Sequence, residues 1–177
     1  MKLIKTELKD VFIIENFEQY DECGGYVEIF NDEFFRKSGI DFRVKEIYYS
    51  LSHKNVIRGM HFQLPPYDHA KFVYVTTGKI IDVVLDLRKE EPTYGKYITV
   101  KLSPNKKAVF IPSGLAHGFK SLQHKTTVIS NVSQCTSKEH ASGILWNSFG
   151  FNWDITEPVI SEKDKNFISF DNFKSEF

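Results

Sequence analysis

A chain of 177 residues is one domain's worth of polypeptide, and at this length about 70% of the unfolded surface is buried on folding, so neither disulfides nor a structural metal is needed to hold it together. Lys plus Arg (23) balance Asp plus Glu (23), which argues against a polyphosphate or nucleic-acid partner held by net charge and leaves only a local basic patch open. Cys23 and Cys135 are too few for a disulfide framework and lack zinc or redox spacing, and the amino-terminal apolar run is only Val11 to Ile14, so the expectation is a soluble, cytoplasmic protein with no membrane partner.

In chain order, Gly25 to Phe30 reads as a strand, Asn31 to Lys37 as a short helix, and Val44 to Leu51 as a second strand. Phe72 to Val75 and Lys79 to Leu87 are β-branched runs on either side of Thr76-Thr77-Gly78, which predicts a hairpin. Strands follow at Tyr97 to Leu102, Ala108 to Ile111 and Thr126 to Val132, with a polar turn at Ser103 to Lys107. The tail from Ser161 mixes charge with spaced Phe and fits either helix or extended packing. Sixteen Phe and eight Tyr favour strands over helices. Turn signals every 8 to 12 residues or so mark an antiparallel sandwich or barrel. With no repeat, low-complexity stretch or linker, residues 1–177 are expected to form a single all-β domain with a few short helices.

Two clusters carry chemistry. In Ile57-Arg58-Gly59-Met60-His61-Phe62-Gln63, strict alternation puts His61 on one face with Ile57, Gly59 and Gln63, so Arg58 joins it only if the strand bulges or ends there. In Ile111-Pro112-Ser113-Gly114-Leu115-Ala116-His117-Gly118-Phe119, a strand end and a tight turn present a histidine at the mouth of a barrel. The spacing Pro-x-Gly-x-x-His resembles the second motif of the cupin jelly roll. Metal-binding cupins carry a His-x-His pair and a later Glu in the first motif; here only His61 is present, so the barrel is expected to work without metal or cofactor. A neutral imidazole of pKa near ~6.5, oriented by a carboxylate, suits removal of a proton from carbon next to a ketone. Asp82, Asp86 and Asp164 are candidate partners, Lys71 or His117 could stabilise the enolate, and Arg58 could grip a diphosphate. A preorganised donor to such an oxygen is worth about 3 to 4 kcal/mol.

Several stretches together resemble one family, the dTDP-4-dehydrorhamnose 3,5-epimerases, nucleotide-sugar epimerases of the cupin superfamily. They are Asn55 to Gln63, Ala70-Lys71-Phe72-Val73, Asp82 to Lys89, Pro92-Thr93-Tyr94-Gly95, Ile111 to Phe119 and Ile144-Leu145-Trp146-Asn147, and the similarity runs from Asp10-Val11 to Asp164. The resemblance implies that His61 is the general base paired with Asp164, and that Lys71 and His117 sit by the sugar's ketone. It implies that Arg58 binds substrate, and that a homodimer forms in which an amino-terminal strand carrying Glu28 reaches the neighbour's active site. Gln63, Tyr48 and Asp82 complete the expected set of substrate contacts.

Three positions depart from the family. Its tyrosine acid, which returns a proton from the opposite face, is replaced by Ser130; a serine hydroxyl is shorter and far less acidic, and C5 inversion leans most on that acid. Asp21-Glu22-Cys23-Gly24-Gly25 stands where the family usually has Asp-Glu-Arg-Gly and an aromatic, which removes a phosphate-binding arginine and a ring. The family's paired tyrosines around the base become Cys135 and Thr136, so stacking on thymine is lost there and the expected substrate is dTDP- or CDP-linked. Tyr48 and Tyr49 stand where small polar groups are usual, and either could supply a substitute phenol.

The expectation is therefore an epimerase inverting C3 of a nucleotide-linked 4-keto-6-deoxyhexose, for a deoxysugar of a surface polysaccharide such as O-antigen or of a secondary metabolite. The 3,5-epimerase, a 3,4-ketoisomerase and a non-catalytic sugar-nucleotide binder are the alternatives. His53, His69, His124 and His140 read as surface residues, Arg88 to Glu91 as a solvated loop, and Asp164, taken alone, as a helix cap.

Overall fold

The computed structural model describes residues 1–177. Two antiparallel sheets face each other. One has six strands in the order β1 (Lys2–Lys5), β2 (Phe12–Glu15), β10 (Lys107–Ile111), β7 (Lys71–Thr77), β12 (Thr126–Val132), β5 (Glu46–Ser52). The other has five, in the order β13 (Ala141–Gly143), β6 (Ile57–Gln63), β11 (Leu115–Ser121), β8 (Ile80–Asp86), β9 (Tyr97–Leu102). A separate hairpin, β3 (Phe17–Asp21) with β4 (Gly24–Glu28), stands apart from both. This is the expected all-β jelly roll, as a sandwich whose sheets do not close into a barrel.

The apolar residues sort into three layers. Val73, Val75, Val84, Val109, Phe119 and Val128 fill the space between the sheets. Outside the six-stranded sheet, the expected short helix, α1 (Asp32–Lys37), presses Phe35 onto Phe72 and Phe110. Asn31 caps it by accepting from the Phe34 N–H at 2.9 Å. Complete burial of a Phe side chain contributes about 2 to 3 kcal/mol, so Phe35 does more to seat α1 than its six residues of helix propensity. Outside the five-stranded sheet, the carboxy-terminal segment lays Phe149, Trp153, Phe173 and Phe177 against Phe62, Leu85 and Leu87. The tail left open by sequence is a single helical turn, α2 (Glu162–Lys165), and a 3-10 turn over Phe170–Asn172, joined by extended chain. No helix is long and apolar enough to cross a membrane.

The predicted hairpin around Gly78 is not one. β7 pairs with β10 and β12, whereas β8 pairs with β11 and β9, so the turn carries the chain from one sheet to the other. Gly78 has φ +82, and a Cβ there would lie 2.9 Å from the Thr126 Cα, so the corner is pressed onto the start of β12. Strand periodicity reports which residues share a face but not which strands pair, and a sheet-changing corner looks the same as a hairpin turn. Arg88 also departs from the solvated-loop reading. Its guanidinium grips the buried Asp86 through Nε at 2.9 Å and Nη2 at 2.6 Å, and Thr93 donates to the same carboxylate.

Candidate active site

The site begins with an irregularity in β6. His61 stands opposite His117 and Arg58 opposite Phe119, so Gly59 and Met60 together face Gly118: the strand bulges by one residue. The bulge brings Arg58 and His61, three residues apart, to the same face. Only glycine fits on either side. Gly59 has φ +128, and a Cβ on it would meet the Gly118 Cα at 2.5 Å and the His117 carbonyl at 2.9 Å.

The bulge also fixes the aspartate. Asp164 is 3% exposed, and its Oδ2 accepts from the Gly59 N–H at 3.1 Å while Oδ1 lies 2.8 Å from His61 Nε2. Ser161 caps α2 by accepting from the Asp164 N–H at 3.1 Å, so Ser161 is the cap and Asp164 is free to serve the histidine. Burial alone would raise the Asp164 pKa, but hydrogen bonds from His61, Gly59 and Ser161 outweigh it and hold the carboxyl below its usual range. A carboxylate fixes Nε2–H as the donor, which leaves the His61 Nδ1 lone pair as the basic atom. Burial lowers the His61 pKa, with Asp164 opposing and the Lys71 and Lys163 charges assisting, so the ring is neutral at pH 7.

Lys71, at the start of β7 on the facing sheet, is 5% exposed and donates to the His61 carbonyl at 3.1 Å. Burial lowers its pKa to about 8 against the attraction of Asp82. Asp82 is fully buried and lies 2.7 Å from His117 Nε2. Asp82 therefore supports Lys71 and His117 and does not serve His61, and Asp86 is taken by Arg88; of the three candidate partners only Asp164 reaches the base.

Between the sheets lies a cavity of about 300 Å³. His61, Phe62 and Gln63 line it from β6, Ala141 and Ser142 from β13, and Glu46, Tyr48 and Lys71 from the opposing sheet. Expected residues His61, Lys71, Gln63 and Tyr48 thus share one cavity, with Asp164 directly behind His61. Arg58, His117 and Asp82 do not line it. Arg58 donates to Ser52 Oγ and to the Leu51 carbonyl, both at 3.1 Å, at the end of β5, and His117 is sealed against Asp82. Within one chain Glu28 lies on β4 beside a different pocket, bonded to Asn31 at 3.1 Å. No group of three or more His, Cys, Asp or Glu residues is arranged to hold a metal ion.

Sequence reasoning missed three ionisable lining residues, Glu46, His69 and Lys163. Glu46 is two residues before Tyr48 and His69 two before Lys71, so period-2 spacing from residues already chosen was the available signal. His69 is 9% exposed and, contrary to the surface reading, buried beside Gln63 Nε2, which lies 2.9 Å from its Nδ1. Burial, with Lys71 adding to it, lowers its pKa to about 3. His140 is half-buried, within 2.8 Å of the Ser137 hydroxyl and packed on Tyr67, while His53 and His124 are exposed as expected. Toward the cavity mouth Cys135 is exposed, and Thr136 donates to both Glu46 oxygens, at 2.6 and 3.2 Å, where the resemblance called for aromatic rings.

The sequence profile of one family, dTDP-4-dehydrorhamnose 3,5-epimerase, matches residues 5–172. A dTDP-4-dehydrorhamnose 3,5-epimerase of Shigella flexneri is 38% identical over 180 residues, spanning 98% of this chain and 99% of that protein. The crystal structure of the Bacillus anthracis dTDP-4-dehydrorhamnose 3,5-epimerase with TDP and PPi bound superposes with a TM-score of 0.92 at 33% identity, over 95% of this chain and 98% of that one. ChmJ, a 3'-monoepimerase from Streptomyces bikiniensis in complex with dTDP-quinovose, superposes with a TM-score of 0.87 at 28% identity, over 93% of this chain and 85% of that one.

Proposed function

The chain belongs to the dTDP-4-dehydrorhamnose 3,5-epimerase family, and from that premise we propose that it is an epimerase of a nucleotide-linked 4-keto-6-deoxyhexose that inverts C3. The observation that carries this reading is the His61–Asp164 pair, 2.8 Å apart, facing Lys71 in one cavity. His61 Nδ1 takes the proton from C3, the electron pair moves into the C3–C4 bond, and charge develops on the C4 oxygen beside the Lys71 ammonium. Asp164 stabilises the imidazolium that forms. Inversion is complete when a proton returns to C3 from the other face.

Selectivity for C3 rests on Ser130, which occupies the position of the family's tyrosine acid. The bound TDP and dTDP-quinovose of the relatives support a nucleotide-sugar substrate, and the loss of rings at Cys135 and Thr136 supports testing CDP beside dTDP. Gln63 lines the sugar cavity, Arg58, bonded to the end of β5, is the candidate grip for the diphosphate, and Asp82, hydrogen-bonded to His117, acts on Lys71 from behind the lining. A homodimer completes the site: the outward residues of edge strand β5, Ile47, Tyr49 and Leu51, are 63%, 68% and 62% exposed, a ready face for a second copy, and Glu28 on the projecting β3–β4 hairpin is carried toward the partner.

The test is incubation of dTDP- and CDP-linked 4-keto-6-deoxyhexoses in deuterated water with NMR readout. Label at C3 alone is expected. Label at both C3 and C5 would replace this reading with the 3,5-epimerase, a migrated carbonyl with the 3,4-ketoisomerase, and binding without exchange with a non-catalytic binder. His61→Asn should abolish exchange.

A further inference from the structure

Inversion at a carbon needs a base on one face of the planar enolate and an acid on the other. His61 stands on the five-stranded sheet, and Lys163, on α2 against β6, lies on the same side. His69 is held at Gln63 with its pKa lowered to about 3, so it carries no proton to spare at pH 7, and the acid is sought on the six-stranded sheet across the cavity. That sheet contributes three side chains with ionisable groups to the lining: Glu46, Tyr48 and Lys71. Both Glu46 oxygens accept from Thr136, and Lys71 is held at the His61 carbonyl and needed at the ketone oxygen. Tyr48 remains. It is the direct cross-strand partner of Ser130 in the β5–β12 ladder, so the two side chains share the inner face as neighbours.

Resting on the epimerase reading above, we propose that Tyr48 is the catalytic acid, its phenol delivering a proton to C3 on the face opposite His61. The C3–H bond breaks toward His61 Nδ1, the enolate carries the charge at the C4 oxygen, and the Tyr48 O–H bond breaks as the new C3–H bond forms. The imidazolium and phenolate are then reset by proton exchange with water, so no other reactant is consumed. Tyr48 is 40% exposed at the cavity, and the partial cover on its ring, opposed by the Ser130 hydroxyl and reinforced by Glu46, raises the phenol's pKa, so it is protonated and able to donate at pH 7. The phenol is thus carried by the neighbouring strand, roughly 4.8 Å from the backbone position at which residue 130 would carry it. A phenol moved by one strand serves one of the two carbons flanking the ketone, consistent with C3 alone.

The diagnostic is the separation of exchange from inversion in deuterated water, using the dTDP- or CDP-linked 4-keto-6-deoxyhexose that the wild type accepts. Tyr48→Phe keeps the ring and removes the proton, so inversion should fall about 10²- to 10⁴-fold while His61 still washes deuterium into C3 with retention. His61→Asn should lose both. Restoring a phenol by Ser130→Tyr in the Tyr48→Phe background should recover inversion at least tenfold. If Tyr48→Phe inverts at the wild-type rate, or loses exchange and inversion in parallel, Tyr48 is not the acid. If the wild type itself shows no exchange next to the carbonyl, the epimerase reading fails instead.

Discussion

Lys71→Met tests the electrostatic logic of the site, because it should make the protein both inactive and more stable. The ammonium is 5% exposed, and burial lowers its pKa from 10.5 to about 8. At about 1.4 kcal/mol per tenfold change in the ionisation constant, keeping that charge in the folded state costs about 3 kcal/mol at neutral pH. Methionine removes the charge at similar volume but leaves the His61 carbonyl without its donor, a loss of about 1 to 2 kcal/mol. The net gain is about 1 to 2 kcal/mol, or roughly 2 to 8 °C in Tm for a chain of this size. The pH dependence is sharper evidence than the size. Between pH 8 and 10.5 the unfolded lysine holds its proton while the folded one has lost it, so wild-type stability from this group rises with pH across that window; Lys71→Met should lack the rise. Urea unfolding at pH 7, 9 and 10.5, with turnover at pH 7, measures both. Activity should drop about 10²- to 10³-fold, the usual loss on removing an oxyanion donor. A variant that is markedly less stable at pH 7, or a wild type whose stability is flat from pH 8 to 10.5, would refute the reasoning.

The pH–rate profile should be bell-shaped. Its acid limb lies below pH 6.5 because burial lowers the His61 pKa, and its basic limb lies near pH 8, where Lys71 loses its proton; the basic limb should vanish in Lys71→Met. Asp164→Asn keeps the hydrogen bond but not the charge, so kcat should fall about 10²- to 10⁴-fold. Because Asp164 raises the His61 pKa, removing the charge moves the acid limb to lower pH in the same assay. Gly59→Ala should destabilise the fold by about 2 to 4 kcal/mol, since a Cβ would sit 2.5 Å from the Gly118 Cα at φ +128; thermal melting reads this, and a Tm within 2 °C or so of wild type would show that the bulge relaxes.

The sequence carried the chemistry further than the architecture. His61 and Lys71 were legible from the residues and Gln63 and Tyr48 from the family resemblance, and the cavity gathers all four. Alternation also signalled that Arg58 and His61 could share a face only across a bulge, which is what β6 contains. Two things were hidden, and a third was named only by the resemblance. The residues alone left the partner of His61 open among Asp82, Asp86 and Asp164, and the resemblance named Asp164, 103 residues away; in the fold, burial and the Gly59 N–H single it out. The sheet assignment of β7 and β8 depends on partners far along the chain, so the corner at Gly78 resembled a hairpin. His69 and Glu46 lacked a motif of their own, and only the folding of their strands beside Lys71 and Tyr48 brings them to the cavity.

The wide separation of the dyad has a consequence for biosynthesis. A ribosome adding about 5 to 20 residues per second reaches position 164 some 5 to 20 s after it has made the base. Through that interval the emerging polypeptide holds an imidazole with no carboxylate behind it. Nascent chains and fragments broken before α2 are therefore poor at enolising any ketone they meet, and competence arrives only when the late segment docks.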